Sequence, residues 1–283
     1  MPEEAHRTDK TIKLRAAVVR DDSKKAVMMS SEVATHPLVR KIASFMSLSV
    51  PEQLALQNAT RSLERVGAHV PLTLRRSGNP VLLVVLDGFA CHYRVLSDGR
   101  RQITKYYVPG DVIGLRELVL PVTSGQVSTL SPVNLSSISL DALGQLHDTF
   151  PPLIGGLKVC AMLEARIATE WVVNVGQRTA FERTAHLFCE VFARLEIVGR
   201  TRGNLCEFPV TQSELADTLA LSTVHVNRTL MELRRAHYIE IRDRSLTIQD
   251  FPALRLAADF DPSYLSAGDA QSVSTGWSDW RFV

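Results

Sequence analysis

The chain has 283 residues, enough for two domains with cores of their own, and its 45% hydrophobic and 22% charged residues match a soluble globular protein. A net charge of +2 excludes a basic footprint spread over the whole surface, so any nucleic-acid affinity has to come from local charge. No apolar run approaches the roughly 18 residues of a membrane span, the N-terminal MPEEAHRTDK lacks the apolar stretch of a secretory signal, and the four cysteines (Cys91, Cys160, Cys189, Cys206) form no CxxC pair.

These features predict a cytoplasmic protein with no membrane contact, no disulfides, no metal site and no cofactor. Residues 1–35 mix charges without periodicity and read as a flexible segment, in which Met28–Met29 offers an alternative start. From His36 the pattern firms: Leu38, Ile42 and Phe45 form one helical stripe, and Pro51–Arg61 begins a second amphipathic helix.

Between Val66 and Leu140 the texture changes to short β runs punctuated by turns. Val81–Leu86 is almost wholly apolar and meets Asp87–Gly88. Phe89–Leu96 alternates and ends in the turn Ser97–Arg100, Gln102–Val108 continues as a strand to Pro109–Gly110–Asp111, and Val127–Ser139 gives two strands broken at Ser131–Pro132. Such spacing predicts a small antiparallel barrel or roll over 36–150. Within it Cys91 and His92 are adjacent on a strand and point to opposite faces, a core cysteine beside a surface histidine rather than a ligand pair.

A helix follows over 151–176. Leu153, Leu157, Cys160, Glu164, Ile167, Trp171 and Asn174 recur at alternating spacings of four and three, a heptad seam. Either the helix packs on its own roll or it forms a two-fold dimer. The dimer is preferred, with Leu153, Leu157, Cys160, Glu164, Ile167 and Trp171 at the seam and Glu164 specifying register. Gly176 reads as a hinge. Thr179–Gly199 is the next helix, with Ala180, Thr184, Leu187, Phe188, Val191, Phe192 and Leu195 as its apolar stripe; Cys160 and Cys189 read as buried, and His186 as a surface or core histidine rather than a ligand.

The most structured signal lies in Pro209–Ile248, within a segment spanning 177–260. Thr211 N-caps a short helix with Glu214 completing a capping box, and Leu215, Ala216 and Leu219 form its apolar face. A tight turn at Ala220–Leu221 leads to Ser222, the N-cap of a second helix whose Val226, Leu230 and Leu233 face inward. Thr223, Val224, His225, Asn227 and Arg228 point outward from its first turns, the arrangement a helix-turn-helix needs in a DNA major groove. Tyr238–Arg242 and Ser245–Ile248 alternate around Asp243–Arg244 and read as a two-stranded wing. Arg228, Arg234, Arg235, Arg242 and Arg244 supply local positive charge. Phe251–Leu256 reads as a helical turn closing the wing. The tail, 261–283, is flexible over Ser266–Thr275 and ends in Trp277, Trp280 and Phe282.

The run LSTVHVNRTLMELR (Leu221–Arg234) resembles the winged helix-turn-helix of the cyclic-AMP receptor / fumarate-nitrate regulator (Crp/Fnr) family of bacterial transcription factors. LDGFACHYRVLSDGRRQITKYYVPGDVIG (Leu86–Gly114) resembles the central hairpins and Pro-Gly-Asp turn of that family's cyclic-nucleotide-binding β-roll, and RTAFERTAHLFCEVFARL the first helix of its DNA-binding domain. The resemblance implies an α+β fold: an N-terminal antiparallel β-roll, a long dimerisation helix and a C-terminal winged helix-turn-helix. It also implies a sequence-specific transcription regulator that acts as a homodimer on double-stranded DNA with a palindromic operator, with RNA polymerase as a further partner. Carried over by position, Thr211 and Ser213 touch phosphates, while Thr223, Val224, His225 and Arg228 occupy the outward positions of the recognition helix, Arg228 matching the base-reading arginine. That arginine suits a bidentate contact with guanine, worth roughly 1–3 kcal/mol of discrimination.

Three departures qualify the resemblance. Better-known members have Arg and Glu where this chain has Thr223 and Val224, which leaves Val224 an apolar contact with a thymine methyl. Ala220 replaces the glycine frequent in the turn. Gly114–Leu115–Arg116–Glu117 and Thr123–Ser124–Gly125–Gln126 lack the arginine that clamps a cyclic phosphate, so no response to cyclic nucleotide is expected. No cysteine precedes Cys91 to hold an iron–sulfur cluster. With no paired carboxylates, nucleophile motif or Gly-rich phosphate loop, the chain is not expected to be an enzyme. The alternative is a ligand-binding sensor that acts through protein contacts. Effector, operator sequence and sign of regulation stay open.

Overall fold

The computed structural model describes residues 36–60, 62–76, 79–118 and 125–268. The sequence readings for residues 1–35, for Thr123–Ser124 and for Trp277, Trp280 and Phe282 lie outside them. Two short helices open the structure, α1 (Pro37–Ala43) and α2 (Val50–Ala59). Leu38 and Ile42 of α1 are fully buried, and Ser49 with Glu52 forms a capping box at the start of α2.

Eight strands form the roll: β1 (Leu63–Val66), β2 (Arg75–Arg76), β3 (Asn79–Asp87), β4 (Ala90–Val95), β5 (Arg101–Tyr107), β6 (Val112–Ile113), β7 (Gln126–Thr129) and β8 (Val133–Ser139). One sheet runs β1-β8-β3-β2, with β6 also on β3; the other runs β5-β4-β7. Alternation along β4 and β5 splits their side chains between two cores. Ala90 and Tyr107 join the roll interior with Val81, Leu83, Val85 and Leu135, whereas Cys91, Ile103 and Tyr106 face the opposite way. Gly88 is required by a close approach: it sits at φ +78°, and a Cβ there would collide with the Pro132 carbonyl.

The strand β8 runs directly into α3 (Leu140–Thr149), capped by the Ser139 hydroxyl, a helix at the end of the stretch expected to be roll. The 27-residue helix α4 (Pro151–Gln177) follows and carries straight through Gly176. The chain breaks direction at Arg178, one residue past α4, so the hinge expected at Gly176 is displaced to the extended Arg178 and the N-cap Thr179. α5 (Ala180–Ile197) opens with a second capping box, Thr179 with Glu182.

The C-terminal unit comprises β9 (Thr201–Arg202), β10 (Leu205–Glu207), α6 (Gln212–Leu219), α7 (Thr223–Arg235), β11 (Ile239–Arg242), β12 (Ser245–Ile248) and α8 (Phe251–Ala257), then a 3-10 turn at Pro262–Leu265. The wing is wider than the expected two strands. β11 and β12 pair as foreseen, but β12 also pairs with β10, giving a four-stranded sheet β11-β12-β10-β9.

One continuous apolar core joins this unit to the outer face of β4 and β5, running from Phe89, Cys91 and Tyr106 through Phe188 and Phe208 to Leu219, Val226 and Leu246. At its margin lies a buried ionic network. Asp111, of the Pro-Gly-Asp turn, accepts from Lys41 of α1 at 2.5 Å and from Arg194 of α5 at 2.6 Å. Burial alone would push its carboxyl up, but the two cations hold it well below the usual range. Arg194 also reaches the Tyr106 carbonyl and Glu190, whose carboxylate accepts from the Trp171 indole of α4.

Candidate nucleic-acid interface

The helix-turn-helix forms where local chemistry dictates. The Thr211 hydroxyl accepts from the Glu214 amide while the Glu214 carboxylate accepts from the Thr211 amide, and Ser222 caps α7 by accepting from the His225 amide. Between the helices Ala220 sits in the left-handed region at φ 53°, its amide returning to the Ala216 carbonyl. A side chain there is disfavoured relative to glycine, in keeping with the departure noted in the turn. Val226, Leu230 and Leu233 are buried at 0–2% exposure and lock α7 onto the core.

With those residues inward, the rest of the first turns face solvent. Thr211, Ser213, Thr223, His225, Asn227 and Arg228 are exposed, and Val224 is 70% exposed, unusual for a valine and consistent with an apolar base-edge contact. The Asn227 amide donates to the Gln212 side-chain oxygen at 3.2 Å, which ties the two helices at the same face. The two N-termini add their partial positive charge to this surface.

The opposite flank of α6 docks on the roll. Arg101 pairs with Asp217 at 2.7 Å, Gln102 donates to the Thr218 carbonyl, and the Tyr106 and Thr218 hydroxyls lie 2.6 Å apart. Arg183 of α5 donates to the Leu219 carbonyl at 2.6 Å. None of these contacts covers the seven outward residues. At the wing tip Asp243 and Arg244 both have positive φ, 47° and 60°, between the paired Arg242 and Ser245. Arg244 is exposed, and its conformation is one that glycine or asparagine ordinarily fills.

The expected dimer seam is not free. Leu153, Leu157, Cys160, Ile167 and Trp171 are 0–7% exposed because they pack against this chain's own α1, α3, roll and α5. Glu164, read as a register device, pairs instead with Lys105 of β5 at 2.7 Å, and Lys105 also lies 4.1 Å from the Tyr107 ring centroid. The heptad therefore marks intrachain packing. The face of α4 left open carries Met162, Val172 and Val173, exposed by 51%, 72% and 42%.

Where the roll meets α4, Lys105 and Tyr107 of β5 face Glu164 of that helix. His92, expected at the surface, is buried and hydrogen-bonded through Nδ1 to Thr104 at 2.7 Å. Cys91 faces the other core, as strand alternation requires. Arg116 lies at the surface, 3.8 Å from Glu117. All four cysteines are buried with thiols pushed up, Cys91 and Cys160 to about 11 and Cys189 and Cys206 to about 12, by desolvation.

Comparison with known proteins agrees with this architecture. The family model for the Crp-like helix-turn-helix domain matches residues 182–257, and that for the cyclic nucleotide-binding domain matches 73–150. The nitrogen fixation regulation protein FixK of Bradyrhizobium diazoefficiens is 26% identical over 170 residues, 59% of this chain and 69% of that protein. The transcriptional activator protein FnrA of Stutzerimonas stutzeri is 25% identical over 219 residues, 74% of this chain and 88% of that protein. In fold, FixK2 from Bradyrhizobium japonicum superposes with a TM-score of 0.58 at 20% identity, over 69% of this chain and 96% of that one. With a roll, a long helix and an open helix-turn-helix in this order, the chain belongs to the Crp/Fnr family of DNA-binding transcription regulators.

Proposed function

We propose that the protein acts in the cytoplasm as a homodimer on a palindromic operator and that it reads its site without a cyclic nucleotide. The observation that carries this reading is the face built by Thr211, Ser213, Thr223, Val224, His225, Asn227 and Arg228, fully open while α6 is docked on the roll. Thr211 and Ser213 take phosphates, Arg228 takes a guanine edge, and Val224 takes a thymine methyl. RNA polymerase is the partner through which a bound dimer acts.

Two features support independence from cyclic nucleotide. A cyclic phosphate needs a buried cationic fork, whereas Arg116 is a surface residue beside Glu117. The roll's end against α4 is filled by the Lys105–Glu164 pair and Tyr107. The dimer assignment moves from the buried seam to the open face of α4, which exposes Met162, Val172 and Val173.

Selection of duplexes from a random pool by the purified chain, with no ligand added, tests the reading. Enrichment of a palindrome with guanine and thymine at fixed positions in each half is expected. Arg228→Ala should lose about 1–3 kcal/mol of affinity and relax one position of the motif. No enrichment, or an unchanged motif with Arg228→Ala, contradicts the assignment.

A further inference from the structure

The helix-turn-helix match ends at residue 257, yet the described chain continues to Gly268 and turns back over the junction between α4 and α5. Its apolar residues are buried: Phe260 is 4% exposed, Tyr264 9% and Leu265 8%, all in the core shared by roll and reader. Its polar contacts fall on both sides of the junction. On α4, the Arg166 guanidinium donates to the carbonyls of Ser263 at 2.9 Å and Ser266 at 2.7 Å. At the break itself, Arg178 donates to the Asp259 carbonyl at 3.2 Å. On α5, the Tyr264 hydroxyl donates at 2.9 Å to Glu190, a fully buried carboxylate that also accepts from Trp171 of α4.

We propose that residues 258–268 form a clasp that fixes the angle between α4 and α5, with Arg166, Arg178 and Tyr264 as positioning residues for the recognition helix, which none of them touches. The inference rests on the dimeric DNA-reading assignment. The reader is rigidly attached to α5, and α4 carries the open face assigned to the partner, so their angle sets the separation of the two recognition helices. Half-sites lie one helical turn apart, ~34 Å. A swing of roughly 10° on a lever of ~20 Å moves a recognition helix by ~3.5 Å, about one base-pair step along a strand. The helices also meet directly, Trp171 donating to Glu190 and Asn174 to the Arg183 carbonyl; a segment bonded to both helices and to the linker adds a restraint on the same angle.

The clasp is tested in the full chain by Arg166→Ala and by Arg166→Ala combined with Tyr264→Phe. Arg166 is exposed, and in the double variant Glu190 keeps Trp171 and Arg194. Affinity is measured for the selected palindrome, for the same palindrome with one base pair added at its centre, and for a single half-site. The full chain should prefer the natural spacer by about tenfold or more, and the variants, still dimeric in sedimentation, should lose most of that preference while retaining half-site affinity within about twofold; preference lost only because the variants have become monomers overturns the clasp. A role in stability alone would lower all three affinities together. Folded variants with unchanged spacer preference overturn the clasp and leave the DNA reading intact. A full chain with no affinity for any of the three duplexes removes the DNA reading and the clasp with it. Arg166→Ala alone, which removes no buried group, decides the matter if the double variant does not fold.

Discussion

Arg244 shows how a single residue separates stability from function. It occupies the second position of a two-residue turn between Arg242 and Ser245, with φ at 60° beside Asp243 at 47°. Such a turn twists correctly for a hairpin only with both residues left-handed, which costs a side chain roughly 1 kcal/mol where glycine is free. Strain of this kind persists where the side chain has a use. An exposed arginine at the tip of a wing beside the recognition helix is suited to a DNA phosphate. Arg244→Gly should therefore raise the melting temperature by about 2–4 °C while weakening DNA affinity and lowering the slope of log affinity against log salt by about one for each wing, about two for the dimer. Parallel thermal melts and salt titrations check both signs, and a variant that gains stability with an unaltered salt slope would place the wing tip away from DNA.

At the scale of the element, α4 marks where sequence reasoning stopped. A four-and-three spacing says that one stripe of a helix is buried, not which surface buries it. Leu153, Leu157 and Trp171 satisfy that spacing against their own chain, and the adjoining stripe, proposed as the partner's face, exposes Met162, Val172 and Val173. Replacing Val172 with Glu should yield a monomer in sedimentation, with half-site affinity kept and palindrome affinity lost, and little change in melting temperature because the position is 72% exposed. Leu157→Ala should instead destabilise the fold by about 2–5 kcal/mol; a dimer that survives Val172→Glu refutes the assignment. By contrast α6 and α7 were legible to the residue, because caps and inward leucines are encoded within a few positions of where they act. The strand at Leu205 was legible too, but its pairing with β12 and the helix α3 were not, since β10 finds β12 only in three dimensions and α3 grows from a strand without a turn. Glu190 and Arg194 left one readable trace, an opposite-charge pair at i,i+4 inside an apolar stripe. Asp111, the second carboxylate on Arg194, lies 83 positions away, beyond any local pattern.

The whole molecule carries several histidines folded into its interior, and this sets its response to acid. His36, hydrogen-bonded to Thr60, is lowered to about 4 by burial and by Arg200. His186, between the rings of Phe260 and Tyr264, is lowered to about 3 by burial and by Arg178, and His92 is lowered chiefly by burial. In the unfolded chain each takes up a proton near pH 6.5, whereas the folded chain keeps them neutral. Between about 6.5 and the folded values the unfolded state binds more protons, so stability is fully present above 6.5 and falls as the pH drops. Each histidine contributes a slope of at most about 1.4 kcal/mol per pH unit. Asp111, held low by Lys41 and Arg194 against its burial, adds to the loss only once the pH falls below the usual aspartate range. Melting temperature measured from pH 7.5 to 4 should decline steadily, and His186→Phe, which fills the same aromatic slot, should make the decline shallower between pH 6 and 4. An equal slope in the variant would mean that His186 is already protonated in the folded state, with the Glu170 carboxylate 3.2 Å from its Nε2 as counter-ion. In that case the C-terminal segment, which packs on this ring through Phe260 and Tyr264, would be resting on a charged histidine and its grip on α5 would change with ionic strength rather than with pH.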